Sequence, residues 1–566
     1  MKKFKIIPII IIIFVLLAGS PVSGQHVSNF DKAEALMSLG LFKGTLSGYE
    51  LEAVSTRAQG AVMLVRLLGR EDYIKTRTFK HSFRDVPEWA DSQIGYMYMH
   101  GLTNGTSKTT YRPDDELKAI HYITFLLRAL GYDDSAGDFH YTRSLEKALS
   151  IGLLDDEEYL RLSSKEHFIR DDMVKVSYDA LLMNIKGYNK SLVAKLIEND
   201  KTVSSAAAAM LGLYDSELTR NSFEDFVLLE SGYVVNNDVD LMDLMCVVLK
   251  ERAGNIKIDL SGYTGEIDEN QIWYIMDRAK KAIQNSTGIF NVYSYSYLQY
   301  ETSTFTDDGN LTGADIVIEY YFDELQSAEL DEMVEWILSQ IILPEMSEYD
   351  KVKAVHDYVV NNSEYLNIIY SFDEHIFTAY GALVNGKAGC QGYAEAVALL
   401  LNRAGVQAFV VSGEAYSYNS WDNHAWNIVR IDGRYYHLDA AFDDPLTSDG
   451  LPALRYDYFN ITDADIAYDH RWNENEYPIC DETLYNYYYY NGLFVEDMAE
   501  FQTKLDAALI ARHNEITLKI NKIEPGDFNK ISKLIFSNES VLSYSSDINI
   551  NMGIVKIFDI EYDTVK

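Results

Sequence analysis

One cysteine in this sequence has the surroundings that a nucleophile needs. Cys390 follows a loop that contains Gly386 and Gly389, and apolar residues recur at helical spacing after it until Gly405. This spacing predicts that Cys390 opens a helix. Unpaired N–H groups and the positive end of the helix dipole stabilise a thiolate at that place, and the thiolate is the nucleophilic form of cysteine. The sequence therefore predicts a reactive thiol at position 390.

A base and a group to orient it lie on a predicted β-hairpin further along the chain. Two alternating runs, residues 424–431 and 434–440, flank an Asp-Gly dipeptide at 432–433, which is a strong signal for a two-residue turn. The turn sets the register so that His424 lies diagonal to Asp439 on one face, roughly 7 to 8 Å away at the backbone and within reach of a hydrogen bond. A nucleophile, a base and an orienting carboxylate are what covalent acyl transfer needs.

His437 competes with His424 for the role of base. It lies on the same predicted face, two residues from Asp439, where it could bond the carboxylate or fill the core. His424 is nearer the end of its strand, where active sites tend to lie, and we therefore assign the base to His424.

Polar residues beside this constellation are further candidates. Gln391 and the backbone N–H of Cys390 are candidate donors to an oxyanion. Asp443 and Asp444 precede Pro445 and suggest a metal pair, but a turn in which an Asp side chain bonds its own backbone is the preferred interpretation. No paired Cys or His spacing indicates zinc. The sequence therefore predicts neither a metal nor a cofactor.

Three motifs occur in order along this part of the chain: GCQGYAEA at 389–396, HAWN at 424–427, and an Asp before a DDP turn. Together they resemble the transglutaminase-like superfamily over about residues 330–475. The resemblance implies a papain-like core, in which a helix with the cysteine packs on an antiparallel sheet with the His and the Asp. The superfamily includes cross-linking acyltransferases, peptidases, amidases and inactive relatives. The catalytic residues that it implies are Cys390, His424 and Asp439.

The first 24 residues have the pattern of a secretory signal peptide. A basic start, MKKFK, precedes an apolar run at 6–18 and small residues that end at Gly24. The run is too short for a comfortable membrane span, and no later segment reaches spanning length. We expect cleavage near Gly24 and a secreted chain without a membrane span, located at the cell wall or S-layer surface.

Length, charge and cysteine count narrow the class of protein. At 566 residues the chain predicts several domains. A formal net charge of -37 argues against nucleic acid as a partner and is typical of the solvated surface of an exported protein. Three cysteines cannot all pair, so at least one thiol is free and no disulfide framework is expected. Cys246 is interpreted as a buried helix residue.

Residues 25–205 contain three copies of a helix, a Gly turn and a second helix, and small units of this kind share a core by stacking. The signatures FRDVPEWA, GLTNGT and TRAQ resemble S-layer homology modules. The resemblance implies all-α modules that attach noncovalently to a secondary cell-wall polymer. The predicted modules cover about residues 26–72, 79–134 and 135–205.

The same resemblance implies a ligand-binding arginine at the start of the second helix of a module. The residues that match are Arg57 in the first copy and Arg170 in the third, whereas the second copy has Lys118-Ala119 there. A planar guanidinium suits anionic or pyruvylated sugars because it binds carboxylate with two parallel hydrogen bonds. The alternative is that Arg57 only pairs within its own module.

The sequence predicts a multidomain chain with all-α repeats, an auxiliary subdomain, an α+β papain-like core and a small α+β appendage. The predicted ranges after the repeats are 206–335, 336–478 and 479–566, and the auxiliary part contains a strand pair at 289–300 and 315–322. The predicted function is wall-anchored acyl transfer from peptide amides or Gln carboxamides of a peptide or protein substrate through a thioester. A non-catalytic wall-bound scaffold and a glycan-binding adhesin are the alternatives.

Overall fold

The computed structural model describes most of the chain after residue 28. The described ranges are 29–45, 48–215, 219–220, 222–265, 267–284, 298–307, 310–320, 323–366, 374–417, 419–444, 454–524 and 526–563. The predicted signal peptide, residues 1–24, lies outside these ranges. Within them, no helix combines the length and the apolar character that crossing a membrane requires.

The described chain between residues 29 and 210 folds into α-helices. They are α1 (Phe30–Ser38), α2 (Arg57–Leu67), α3 (Glu71–Lys75), α4 (Glu88–Met99), α5 (Ala119–Ala129), α6 (Ser144–Ser150), α7 (Asp156–Ser164), α8 (Arg170–Leu182), α9 (Leu192–Glu198) and α10 (Ser205–Met210). Helices α2, α5 and α8, the second helix of each predicted repeat, pack against one another. Isolated bridges join Val54 to Ile169 and Thr56 to Glu116 ahead of these helices. Each predicted repeat thus contributes one helix to a shared centre.

The first helix of each repeat ends in the same way. The chain turns after α1, α4 and α6 at Gly40, Gly101 and Gly152, where φ is 75°, 69° and 79°. A residue without a Cβ atom adopts this left-handed conformation at little cost. After α1, the N–H of Leu41 donates to the carbonyl of Leu36 at 2.8 Å, which closes the turn. The repeated Gly turns therefore have a local cause.

The auxiliary region combines two helices with a five-stranded sheet of order β1-β2-β3-β5-β4. Its elements are β1 (Leu228–Leu229), β2 (Gly232–Val234), α11 (Asp238–Lys250), β3 (Asn255–Asp259), α12 (Glu269–Gln284), β4 (Leu298–Asp307) and β5 (Asn310–Tyr320). Strands β4 and β5 pair antiparallel, but β4 begins at Leu298, and residues 289–297 of the predicted first strand lie outside the described ranges. Cys246 is buried in α11, as predicted.

The region around Cys390 is built on a second five-stranded sheet, of order β11-β10-β9-β8-β12. Its elements are α13 (Glu324–Ile341), α14 (Glu348–Asn362), β6 (Glu364–Tyr365), α15 (Ala379–Leu383), β7 (Lys387–Ala388), α16 (Cys390–Arg403), β8 (Ala408–Ser417), β9 (Ser420–Ile431), β10 (Arg434–Leu438), β11 (Phe459–Ile461), α17 (Asp463–Ile466) and β12 (His470–Trp472). The helix predicted to begin at Cys390 is confirmed as α16.

The predicted hairpin register is also confirmed. Ile431 pairs with Arg434 and Asn427 with Leu438. Asp432 and Gly433 have φ of 47° and 80°, and a two-residue turn with both central φ values positive matches the twist of the strands. The prediction had placed Asp439 inside the ladder. Strand β10 ends at Leu438, so Asp439 lies just beyond the ladder.

The C-terminal part forms an α+β unit with its own hydrophobic core. Its elements are α18 (Tyr487–Tyr490), β13 (Phe494–Val495), α19 (Met498–Ile510), β14 (Ile516–Ile520), α20 (Asp527–Ser537), β15 (Val541–Asn549) and β16 (Ile554–Tyr562). The sheet order is β13-β14-β16-β15.

The sheet around Cys390 is covered on both faces, and residues at successive positions of a strand, which point to opposite sides, pack in two different cores. Val429 and Ile431 of β9 pack in the core that includes α14 and α16. Trp426 and Ile428 pack in a core that is continuous with the N-terminal helices and the auxiliary region. The rings of Phe30 in α1 and Phe409 in β8 meet edge to face, 5.4 Å apart between centroids. The repeats and the sheet therefore share one core.

Candidate active site

Helix α16 starts at Cys390 and packs against the inner strands β8 and β9 of the sheet. Gly389 is the N-cap residue, and its N–H donates to the carbonyl of Ile376 at 2.9 Å. Gly392 lies in the first turn, where an added Cβ would stand 2.7 Å from that same carbonyl oxygen. The close approach fixes the helix start against the preceding segment. Cys390 is 5% exposed.

The sulfur of Cys390 lies where β9 and β10 separate. The thiol lies close enough to the ring of His424 and to the backbone N–H of Ala425 for both groups to lower its pKa. His424 Nε2 donates to Asp439 Oδ2 at 2.6 Å. Since that nitrogen is engaged, Nδ1 is the ring atom left for the sulfur. The structure thus places Cys390 beside His424, and His424 is hydrogen-bonded to Asp439.

Asp439 is held by the turn that follows β10. Its Oδ1 accepts the backbone N–H groups of Ala441 and Phe442, each at 3.0 Å. Its own N–H donates to the carbonyl of Tyr458 at 3.1 Å. The side chain of Asp439 therefore bonds its own backbone turn. The turn predicted at Asp443 and Asp444 continues into residues outside the described ranges and stays a prediction.

The electrostatics of the series favour an ion pair. Burial alone would raise the pKa of Cys390, but the hydrogen bond and the charge of His424 lower it. Burial would likewise lower the pKa of His424, yet the charge and hydrogen bond of Asp439 raise it to about 10. Burial opposes ionisation of Asp439, and His424 nevertheless holds its pKa well below the usual range. These opposing shifts favour the pair of a thiolate and an imidazolium over the neutral thiol and imidazole.

His437, the alternative base, bonds other partners. The indole N–H of Trp426 donates to His437 Nδ1 at 2.9 Å, and His437 Nε2 donates to Asp463 Oδ1 at 2.8 Å. The side chain that hydrogen-bonds Asp439 from β9 is His424. Of the two candidates, the structure brings His424 to the carboxylate.

Gln391 lies on the first turn of α16, but its side chain is engaged. Its amide donates to Glu395 Oε1 at 3.0 Å, one helical turn further on. The N–H groups of a first turn have no intrahelical partner, so the backbone of Cys390 supplies a donor at the site. A second oxyanion donor from Gln391 stays a prediction.

Asp443 and Asp444 tie the turn after β10 to two helices. His356 Nε2 in α14 donates to Asp443 Oδ2 at 3.1 Å, and the hydroxyl of Tyr393 in α16 donates to Asp444 Oδ2 at 2.6 Å. Asp443 Oδ1 also accepts the N–H of Tyr458 at 3.0 Å. Both carboxylates thus position the segment that carries Asp439.

His470 belongs to the site, although the sequence reasoning passed over it. Its Nε2 donates to Asp439 Oδ2 at 3.0 Å, and its Nδ1 donates to Asp469 Oδ1 at 2.7 Å. His470 lies on the edge strand β12, which pairs with β8 and is separated in the sheet from β10. The only local signal is the Asp-His dipeptide at 469–470, and it does not indicate which carboxylate lies opposite.

Two groups of three side chains in the described ranges have the residue types and spacing of metal ligands: His424, Asp439 and His470, and His437, Asp463 and Cys480. In the first group both oxygens of Asp439 already accept two N–H groups each. In the second, His437 Nδ1 accepts the Trp426 N–H, so its Nε2 carries the proton instead of offering a lone pair. Hydrogen bonding accounts for both groups.

Arg57 and Arg170 each reach across to a neighbouring repeat. Arg57 is buried, its Nε donates to the carbonyl of Tyr111 at 3.2 Å, and its guanidinium lies 4.9 Å from the centroid of that ring. Arg170 Nε donates to the carbonyl of Tyr49 at 2.9 Å, with its guanidinium 5.5 Å from the Phe42 ring. These contacts join two repeats, and a role of either arginine in binding a wall polymer stays a prediction.

Parts of the chain are similar to proteins that are named for the cell surface or the cell wall. The chain is 37% identical over 102 residues to a cell surface protein of Thermoanaerobacter kivui and 26% identical over 121 residues to the middle cell wall protein of Brevibacillus brevis. These matches cover 18% and 21% of this chain, and only 13% and 12% of the relatives. The kyphoscoliosis peptidase of Mus musculus is 22% identical over 152 residues, 25% of this chain and 23% of that protein.

A solved structure described as a TGase aligns at 19% identity over 33% of this chain and 50% of that one, with a TM-score of 0.19. The model of the Transglutaminase-like superfamily matches residues 337–440, which include Cys390, His424 and Asp439. This chain therefore carries a transglutaminase-like domain at 337–440, and relatives that it matches are named as cell-surface and cell-wall proteins.

Proposed function

We propose that this protein is a cysteine acyl-transfer enzyme that acts on peptide amides or Gln carboxamides through a thioester. The observation that supports it is the series Cys390, His424 and Asp439, with the sulfur at the start of a helix. A thiolate there is stabilised by the imidazolium and by the helix dipole. The carboxylate holds the imidazole in the orientation that presents Nδ1 to the sulfur.

The first half of the reaction forms the thioester. The Cys390 thiolate attacks the amide carbon, and the carbonyl oxygen takes up negative charge. The backbone N–H of Cys390 is aimed at that oxygen from the helix start. The C–N bond then breaks as the imidazolium of His424 gives its proton to the leaving amine.

The second half releases the acyl group. Neutral His424 takes a proton from water or from a second amine as that group attacks the thioester carbon. The C–S bond breaks, and the thiolate and imidazolium are restored. Water gives hydrolysis, as in a peptidase or amidase, and a Lys amine gives a cross-link.

A partition experiment tests the proposal and identifies the acceptor. The protein without its signal peptide is incubated with Gln-containing peptides, with and without a primary amine, and the products are identified by mass. We expect cleavage or deamidation without the amine, or a new amide with it, and loss of both in Cys390→Ala. Turnover that persists in Cys390→Ala would reject the assignment.

One observation favours a non-catalytic scaffold as the second candidate. Cys390 is 5% exposed and His424 is 8% exposed, so little of the series reaches solvent. A thiol-reactive probe separates the two functions. Labelling of Cys390 faster than a model thiol at pH 6 supports the enzyme, whereas labelling no faster than a model thiol supports the scaffold.

We further propose that the N-terminal helices attach the protein to an anionic cell-wall polymer, at the cell wall or S-layer surface after export. The names of the relatives support a surface location. The junctions between repeats support a binding role, because two of them contain the arginines Arg57 and Arg170. At the third junction, where Ala119 stands in that position, there is a cavity of about 210 Å³ lined in part by Lys118, Lys165 and His167.

The wall-binding proposal is tested on the full chain, because the repeats and the catalytic sheet share a core. Wild-type protein should sediment with purified cell walls, and Arg57→Gln and Arg170→Gln should weaken that binding. The matched control is Arg143→Gln, an exposed arginine of the same region that pairs only with Glu146 in the described contacts. Equal sedimentation of all variants would leave the arginines with a structural role alone.

A further inference from the structure

We propose that His470 is a positioning residue of the acyl-transfer site, which fixes Asp439 against His424 by bridging two carboxylates as a cation. The inference rests on the proposed function and adds to it a residue on the edge strand β12. The test distinguishes failure of this inference from failure of the proposed function, because it first measures how readily Cys390 forms a thiolate, without any substrate.

The hydrogen bonds of His470 define its protonation. Nε2 lies 3.0 Å from Asp439 Oδ2 and Nδ1 lies 2.7 Å from Asp469 Oδ1. An ionised carboxylate only accepts, and a neutral imidazole has only one N–H. Both bonds form together when both ring nitrogens carry protons. His470 is almost fully buried, and its two carboxylate neighbours outweigh the effect of burial and raise its pKa.

The second carboxylate is itself held in place. The hydroxyl of Tyr458 donates to Asp469 Oδ2 at 2.5 Å, and the backbone carbonyl of Asp469 accepts the N–H of Tyr416 in β8 at 2.7 Å. Asp469 therefore fixes the ring of His470 from the side away from Asp439. Packed around the ring, the groups that can carry charge are Asp439, Asp469, His424, His437 and Tyr458.

His470 completes the set of donors that immobilises Asp439. Oδ2 accepts from the two rings of His424 and His470, and Oδ1 accepts two backbone N–H groups. A carboxylate with four donors cannot rotate without breaking one of these bonds. Since Asp439 orients the base, a loss of this restraint displaces His424 from Cys390. Outer groups of this kind typically change activity by about 10- to 100-fold.

The positive charge of His470 also affects the pKa values of His424 and Cys390, the two members of the ion pair. Its ring centroid is 5.3 Å from that of His424, and like charges at this distance disfavour one another. His470 therefore limits the rise in the pKa of His424 that Asp439 causes. Removing the cation should raise the pKa values of both His424 and Cys390, by about one pH unit.

The test uses His470→Gln, which keeps an N–H donor and removes the charge. The alkylation rate of Cys390 by iodoacetamide is measured from pH 4 to pH 11 in the full chain, with Cys390→Ala as background. In the wild type, the alkylation rate should rise at low pH as the thiolate and imidazolium pair forms, and we call this rise the low-pH limb. In His470→Gln the midpoint of that limb should move to a pH about one unit higher.

The matched control is His437→Gln. His437 is also fully buried, and it bonds Trp426 at 2.9 Å and Asp463 at 2.8 Å, neither of which bonds Asp439 through its side chain in the described contacts. It should lose stability as His470→Gln does and keep the wild-type limb. A purely structural role for His470 predicts the same result for both variants.

A kinetic measurement adds a second readout. His470→Leu removes the donor as well as the charge and should lower kcat by about 10- to 100-fold with little change in KM. His470→Gln should recover part of this loss. If His470→Gln fails to fold, Asp469→Asn replaces it, because removing that carboxylate favours neutral His470 and should shift the limb in the same direction.

Each outcome decides the inference. An unshifted limb in His470→Gln and in Asp469→Asn, or an equal shift in His437→Gln, would overturn it while leaving the acyl-transfer proposal intact. A wild type without any low-pH limb would instead contradict the thiolate on which the proposed function itself depends.

Discussion

The same three residue types, Cys, His and Asp, meet twice beside one sheet. In one cluster Cys390 lies beside His424, which bonds Asp439. In the other, defined by His437, Asp463 and Cys480, the carboxylate lies between the other two side chains. His437 donates to Asp463 Oδ1, and the backbone N–H of Cys480 donates to Asp463 Oδ2.

The order of the groups decides the state of each thiol. Both cysteines are buried, and burial raises the pKa of a thiol. At Cys390 the imidazolium and the N–H of Ala425 lower the pKa in spite of burial. At Cys480 the nearest charge is the Asp463 carboxylate, which raises the pKa further. In this protein the pKa of the thiol is lowered in the cluster where the His lies next to the thiol, and it is raised in the cluster where the carboxylate does.

The largest expected effect is the difference in kcat/KM between variants of the two cysteines, Cys390 and Cys480. Cys390→Ala should lower kcat/KM by at least about 10³-fold because it removes the nucleophile. Cys480→Ala should leave kcat/KM almost unchanged and lower the free energy of unfolding by about 1 kcal/mol. Steady-state kinetics on an amide peptide and urea unfolding measure the two quantities. A large loss of turnover in Cys480→Ala would break the comparison.

The next effect concerns the two carboxylates. Asp439→Asn should lower kcat by roughly 10- to 100-fold, since the imidazolium loses its charged partner. Asp463→Asn changes a residue bonded to His437 and should leave kcat within about threefold of wild type. Kinetics with circular dichroism, as a check of folding, would measure this. Similar losses in both variants would show that the carboxylates are needed for the fold alone.

The pH dependence follows from the first cluster. The ion pair forms as pH rises through the lowered pKa of Cys390 and is lost as pH rises through about 10, where His424 gives up its proton. We expect kcat/KM to rise below pH 9, to reach a plateau and to fall near pH 10. A single rise near pH 9, as for an isolated thiol, would contradict the ion pair.

The smallest effect should come from the residue between the clusters. Trp426 donates to His437 and its ring stacks near that of His424, with centroids 6.0 Å apart. Trp426→Phe keeps an aromatic side chain, smaller than the indole, and removes the N–H donor, so we expect a loss of about 1 to 3 kcal/mol in the free energy of unfolding. Activity should change by less than about threefold. A larger loss of activity would mean that the second cluster supports the first.

The comparison also shows the limit of sequence patterns. The hairpin around the Asp-Gly turn and the helix that begins at Cys390 were predictable, because each depends on residues within a few positions of one another. Asp439 was identified, but its position beyond the end of β10 was not, since the strand departs from its partner there to meet the chain at Tyr458. The hydrogen bond from His470 to Asp439 could not be predicted from the sequence pattern. His470 lies on β12, which pairs with β8 and not with the strand that leads to Asp439.

The sequence by itself determined the local parts: the glycine turns of the repeats, the helix start that favours a thiolate, and the register that sets His424 toward Asp439. Positive φ angles, caps and strand alternation arise between near neighbours, so a linear pattern records them. The tertiary structure alone decided that the start of α16 lies against this hairpin, and which distant ring supports the carboxylate of Asp439. These depend on the order of strands in the sheet, and residues far apart in sequence meet only when the core they share has formed.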